Sequence, residues 1–101
     1  MAARDAETPN PNTVTRELTV LNRQGIHARP AALFVRTVAR FRSEVFIEKD
    51  GERINGKSIM GLMMLAAGPG SRIRIEAAGD DADEALRALD ELVTVRKFDE
   101  E

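Results

Sequence analysis

Apolar and polar residues alternate with two different periods along this chain of 101 residues. A period of two residues is typical of a strand that packs one face against a core. A period near 3.6 residues is typical of a helix with one apolar side. In chain order, the strand pattern covers Thr15–Leu21, Ser43–Lys49, Glu52–Ile54 and Ser71–Ala77, and the helix pattern follows His27, Ser58 and Asp81.

The spacing of these segments predicts the element order β-α-β-β-α-β-α. Asp50-Gly51 is a strong hairpin turn between the second and third strands, and Gly68-Pro69-Gly70 ends the second helix. No connector is long, and helices on one face of an antiparallel sheet form an open-faced sandwich. We therefore predict an α/β (α+β) fold in which a four-stranded antiparallel sheet carries three helices on one face.

The two ends of the chain lack this pattern. Residues 1–12 include Glu7–Asn12, which has two prolines and no apolar residue. Such a segment buries too little to offset the entropy of ordering it, so we expect a disordered extension before one domain of residues 13–101. Lys97–Glu101 is charged, and we expect it to be frayed. The last helix before it has an apolar stripe of Ala82, Ala85, Leu86, Leu89, Leu92 and Val93.

Composition narrows the classes of function. The chain has no cysteine and one histidine, which excludes disulfides and thiolate metal sites and disfavours a zinc site. Its net charge of −2 and its lack of tryptophan argue against nucleic-acid binding. No apolar run has the length of a membrane span, and the N-terminus lacks the apolar core of a signal peptide. We expect a cytoplasmic protein that uses no cofactor and no metal.

The single histidine lies where the first helix pattern starts. His27 is expected at or beside the N-cap, with Pro30 in the first turn, where a missing amide costs little. The amides of Ala28 and Arg29 then point past the ring, and free amides at a helix start attract anions. The same field disfavours imidazolium, and a guanidinium such as that of Arg29 suits phosphate oxygens. The alternatives are a helix cap for His27 and an exposed charge for Arg29.

Two segments resemble one known family. Gly25-Ile26-His27-Ala28-Arg29-Pro30-Ala31 resembles the active-site signature of HPr, the histidine-containing phosphocarrier of the phosphoenolpyruvate-dependent sugar phosphotransferase system. Lys57-Ser58-Ile59-Met60-Gly61-Leu62-Met63 resembles the regulatory-serine region of the same family. The resemblance extends from about Thr15 to Val93, and it implies the HPr fold, which agrees with the order predicted from the pattern alone.

The resemblance also implies a function. His27 would accept a phosphoryl group from phospho-enzyme I, on the ring nitrogen nearest the backbone, and pass it to enzyme IIA components. Arg29 and the amides of Ala28 and Arg29 would bind the phosphate. The chain would be a covalent phosphoryl carrier within the phosphotransferase system and not an independent catalyst. We expect it to be a monomer.

Ser58 is, by the same resemblance, a site for an HPr kinase/phosphorylase, although serine is also a preferred N-cap. The helix after it is apolar nearly all round and too short to bury every side. Ile59, Met60 and Met63 are therefore candidates for an exposed partner-docking surface, with a place in the core as the alternative. Met64 departs from the family, in which a small polar residue is common at this position.

Other functions stay open at this point. A purely regulatory HPr-like protein that acts through Ser58 is disfavoured, because such proteins typically lack the histidine. A mainly regulatory HPr-like protein, controlled by HPr kinase/phosphorylase in an organism without sugar permeases, is an alternative. A nitrogen-branch phosphocarrier is a further alternative. An RNA-binding or small-ligand sandwich is a candidate from another class. The strand that carries Arg72, Arg74 and Glu76 has no aromatic residue, so base stacking there is poorly supported. A hydrolase would need a base–orienter pair with the histidine, and the sequence shows none.

Overall fold

The structure is a computed structural model that describes residues 13–100. The predicted extension, residues 1–12, lies outside the described residues. The observed order confirms the predicted one, and the strand ends differ from the predicted ends by at most two residues. The elements are β1 (Thr13–Thr19), α1 (Ala28–Val38), β2 (Glu44–Lys49), β3 (Glu52–Asn55), α2 (Ile59–Met64), β4 (Arg72–Ala78) and α3 (Ala82–Asp90).

The strands form one antiparallel sheet in the order β1-β4-β2-β3. The central strand β4 shows the predicted alternation, since Ile73 and Ile75 are buried while Arg72 and Arg74 are exposed. One face of the sheet is therefore packed and the other is wet. The helices cover the packed face, and the core between the layers includes Val20, Phe34, Val38, Val45, Ile47, Leu62, Leu89 and Leu92. This arrangement is the predicted open-faced sandwich.

The C-terminal end of the chain corrects one prediction. The helix pattern continues past α3, with Glu91–Val95 in π-helical geometry. Lys97–Asp99 then form a short turn. We call Lys97–Glu100 the C-terminal turn. Phe98 is fully buried in this turn. The expectation of a frayed end is therefore wrong for the described residues, because one apolar ring within the charged run anchors the segment to the core.

The start of α3 is tied to the segment that precedes β2. Asp81 is the N-cap of α3, but its side chain makes no capping hydrogen bond to that helix. Its carboxylate instead accepts hydrogen bonds from the Arg42 amide at 2.8 Å, the Ser43 amide at 2.9 Å and the Ser43 hydroxyl at 2.5 Å. These bonds, above all that from the hydroxyl, hold the pKa of Asp81 below its usual value.

This pKa shift predicts an acid-dependent contribution to stability. A carboxyl whose pKa is lowered by folding stabilises the fold above its unfolded-state pKa, and the contribution is lost as the pH falls through the folded-state pKa. We expect Asp81→Asn to lower Tm at pH 7 by a few degrees, and the difference from the wild type to shrink in acid. Asp80→Asn, at the exposed neighbouring position, is the control. Equal Tm values for both variants and the wild type at pH 7 would contradict the prediction.

Candidate functional site

His27 is the N-cap of α1, as the sequence predicts, with φ −104° and ψ −160°. Its side chain is exposed and makes no capping hydrogen bond to the helix, so the helix-cap role is not the one that the ring performs. Within residues 13–100, no group accepts a hydrogen bond from the amide of Ala28 or of Arg29. The ring therefore stands beside two unpaired donors at the positive end of the helix dipole.

The loop before His27 is held by close backbone contacts. Gly25 has φ +71°, and a Cβ at this position would lie 2.4 Å from the Ala67 carbonyl oxygen. That oxygen accepts a hydrogen bond from the Ile26 amide at 2.9 Å, and the Asn22 side-chain amide donates to the Gly25 carbonyl at 2.8 Å. Only glycine satisfies both the left-handed conformation and the close approach. The loop is thus fastened to the segment that follows α2.

His27 borders an open cavity of about 490 Å³. The buried side-chain oxygen of Asn22 faces no hydrogen-bond partner within the described residues. No group of three or more His, Cys, Asp or Glu residues in residues 13–100 has the arrangement of a metal site. The residues that line the cavity are Asn22, Arg23, Gln24, His27, Arg29, Pro30, Phe98 and Glu100.

Arg29 lies at this cavity, where the sequence predicts a phosphate-binding group. Its guanidinium is engaged by the C-terminal turn: Nη1 donates to the Phe98 carbonyl at 2.9 Å and Nη2 donates to the Asp99 carbonyl at 3.2 Å. Two charge-assisted bonds of this kind fix the direction of the fork. The alternative role of a merely exposed charge is therefore not what the structure shows.

The C-terminal turn also brings carboxylates to the site. Glu100 accepts hydrogen bonds from the Arg23 amide at 2.8 Å and from Arg23 Nε at 3.4 Å, and the amide is the main cause that lowers the pKa of Glu100. Asp99 accepts from Arg96 Nε at 2.9 Å and Nη2 at 2.6 Å, which lowers the pKa of Asp99. The sequence did not predict Phe98 and Glu100 as site residues. The only feature that could have indicated them is Phe98 itself, a single apolar residue within the charged run Lys97–Glu101.

Ser58 is the N-cap of α2, as predicted. Its hydroxyl oxygen accepts a hydrogen bond from the Gly61 amide at 2.9 Å. A Cβ at Gly61 would lie 3.1 Å from the same oxygen, so the small residue leaves room for this cap. Ser58 is half-buried. Its capping role is established by this geometry, and modification of the hydroxyl stays a prediction.

The helix that Ser58 begins exposes most of its apolar side chains. Leu62 is buried, while Ile59 and Met63 are each 41% exposed, Met60 is 70% exposed and Met64 is 69% exposed. The core alternative is therefore wrong for Ile59, Met60 and Met63. We call these exposed residues, Ile59, Met60, Met63 and Met64, the methionine patch.

In the part of the chain described, no helix is long and apolar enough to cross a membrane.

The comparisons with known proteins agree on one family. The family model described as the PTS HPr component phosphorylation site matches residues 14–94. The HPr-like protein Crh of Halalkalibacterium halodurans is 54% identical over 76 residues, which cover 75% of this chain and 90% of that relative. The solved structure of phosphocarrier protein HPr from Bacillus anthracis str. Ames has 50% identity and a TM-score of 0.80, and the match covers 84% of this chain and 100% of that chain.

Some of these similar proteins are described as dimers. A crystal structure of Crh from Bacillus subtilis, with 48% identity and a TM-score of 0.67, is described as a dimer with a swapped domain. The match covers 81% of this chain and 94% of that chain. The expectation of a monomer is accordingly unconfirmed. The fold, the family model and the relatives together show that the chain belongs to the HPr family, whose members are phosphocarriers of the phosphotransferase system and not independent catalysts.

Proposed function

We propose that this protein carries a phosphoryl group on His27, taking it from phospho-enzyme I and passing it to enzyme IIA components. The observation that carries the proposal is the exposed imidazole at the N-cap of α1, without a capping bond and beside the unpaired amides of Ala28 and Arg29. An unbonded ring nitrogen keeps its lone pair available for attack, and the amides offer donors to phosphate oxygens.

The proposed transfer uses the ring nitrogen that the family resemblance implies. The ring nitrogen nearest the backbone attacks phosphorus, the new N–P bond forms, and the bond between phosphorus and its donor atom on enzyme I breaks, leaving its electron pair with the donor. The reverse sequence at an enzyme IIA component returns His27 to its free state. A carrier must release its cargo, so interactions with phosphate that are too strong would slow the second step. The exposure of His27 and the openness of the cavity suit this requirement.

We further propose that Ser58 is phosphorylated by an HPr kinase/phosphorylase and that this regulates the transfer. Among residues 13–100, its oxygen accepts a hydrogen bond from the Gly61 amide alone, and a phosphate at a helix start is accommodated by amides of the first turn. A mainly regulatory role is a second candidate, since the Halalkalibacterium relative is named HPr-like protein Crh. The exposed His27 favours the carrier role over that alternative.

The methionine patch is the surface that we propose for partner docking. Methionine side chains are flexible and polarisable, which suits a surface that must accept several partners in turn. We propose that the protein acts in the cytoplasm, as a monomer. The alternative is that the protein is a phosphocarrier of a nitrogen-branch system, which would use the same chemistry at His27.

Incubation with enzyme I and phosphoenolpyruvate tests the carrier proposal. We expect the intact mass to rise by one phosphoryl group, the label to be lost in acid, and the mass to return to its starting value when an enzyme IIA component is added. Omission of enzyme I is the control. A mass that stays unchanged with active enzyme I would contradict the proposal.

A further inference from the structure

The C-terminal turn, Lys97–Glu100, engages Arg29, one of the groups proposed to bind the phosphoryl group. Both terminal nitrogens of Arg29 point at carbonyl oxygens of the turn, at 2.9 and 3.2 Å. The turn also reaches the loop before His27, where Glu100 accepts the Arg23 amide at 2.8 Å. A guanidinium has a planar fork with five N–H donors, and these two bonds set the direction of its end. A rotation that aims the same end of the fork at a phosphate breaks both bonds.

The turn also brings a carboxylate to the cavity that His27 borders. Glu100 and Phe98 line the same cavity as His27. The pKa of Glu100 is lowered by its bonds to Arg23, so the carboxylate is ionised at neutral pH. A phosphorylated His27 would bring more negative charge into this cavity, and like charges at short distance repel each other. The resting contacts and the phosphorylated state therefore oppose each other.

The backbone of the turn is held in a costly conformation. Lys97, Phe98 and Asp99 have φ values of 50°, 57° and 55°, in the left-handed region that residues with a Cβ rarely adopt in succession. Burial of the Phe98 ring, the fork between Arg96 and Asp99, and the two bonds from Arg29 hold it there. When Arg29 turns to another partner, the segment loses one of its few supports.

We propose that the C-terminal turn competes with the phosphoryl group for Arg29 and for the His27 loop, and that it leaves the site when His27 is phosphorylated. Glu100 is in this view a positioning residue that favours the unphosphorylated state and so promotes transfer onward. The inference rests on the proposed carrier function. It assigns a role in that function to the C-terminal turn, which lies outside the His27 and Ser58 motifs.

Glu100→Gln is the first test, because it removes the charge and keeps the size of the side chain. We expect the equilibrium constant for phosphorylation of His27 by phospho-enzyme I to rise about three- to tenfold. Glu44→Gln is the control, because this substitution removes the same charge at a residue that is exposed on the wet face of the sheet. Equal constants for the two variants would overturn the inference.

Hydrogen exchange is the second test, on the unaltered protein. The Asp99 amide donates to the Arg96 carbonyl at 2.8 Å and the Glu100 amide to the Lys97 carbonyl at 3.1 Å. By NMR, we expect both amides to exchange at least about tenfold faster after phosphorylation, while central amides of β4 keep their protection. If His27 is phosphorylated and the two amides remain equally protected, the turn stays in place and this inference fails alone. If His27 gains no phosphate, the carrier function fails with it.

Discussion

Replacement of His27 by alanine is expected to abolish phosphorylation by enzyme I, with the signal reduced to background. The ring nitrogen is the only imidazole nucleophile in the chain. Because the side chain is exposed and makes no capping bond, its loss should leave the free energy of unfolding within about 0.5 kcal/mol of the wild type. Intact-mass measurement of acid-labile phosphate and a thermal unfolding curve check the two parts of this prediction.

Gln24→Ala provides the matched control, because Gln24 lines the same cavity and carries no nucleophile. This variant should be labelled to nearly the wild-type extent. Labelling of His27→Ala at the wild-type level would place the phosphoryl acceptor elsewhere. A large drop in its Tm would instead show that the histidine has a structural role that its exposure does not indicate.

Phosphorylation of Ser58 is expected to slow transfer from enzyme I to His27 about a hundredfold. The phosphate would lie at the start of α2, where the helix accepts negative charge, so the fold should not be harmed. The free-energy penalty arises when enzyme I docks on the methionine patch, which begins at Ile59, next to Ser58. A phosphate dianion at the edge of this patch must lose its water or face acidic groups of the partner. A penalty of roughly 2–3 kcal/mol corresponds to a rate change on this order.

Transfer rates of Ser58→Asp and Ser58→Ala measure this effect. The aspartate carries less charge than a phosphate and should slow transfer by a smaller factor. The alanine should transfer at the wild-type rate, although loss of the bond to Gly61 should cost about 1 kcal/mol of stability. Thr15→Asp, on the wet face of the sheet, controls for added charge. Equal rates for all of these proteins would leave Ser58 as a helix cap alone.

The fold was predictable because local pattern and tertiary packing agree along most of the chain. In β4, the alternation of Ile73 and Ile75 with Arg72 and Arg74 specifies which face packs, and the structure buries that face. Ser58 has a hydroxyl suited to an N-cap, and it caps α2. The exposure of Met60 also follows from the sequence, since a helix of six residues has too little length to bury all its apolar sides.

The C-terminal turn was not predictable by the same reasoning. Phe98 is one apolar residue among charged ones, so no period marks it as buried. The π-helical stretch Glu91–Val95 changes the angle between successive side chains. The left-handed φ values at Lys97 and Phe98 are not indicated by residue type, because neither is glycine, asparagine or aspartate. Asp81 shows the same limit, since its carboxylate serves Arg42 and Ser43, partners that only the folded chain brings near.

The joint between Ile26 and Ala67 sets the geometry that a partner protein meets. The bond of 2.9 Å joins backbone to backbone, and the contact at Gly25 leaves no room for a Cβ between the two segments. The His27 loop is therefore joined, backbone to backbone, to the segment that follows α2, and this joint links the imidazole to the helix that carries the methionine patch. If the methionine patch is the docking surface, as proposed, a donor and an acceptor that bind it would each meet the phosphoryl group in the same orientation.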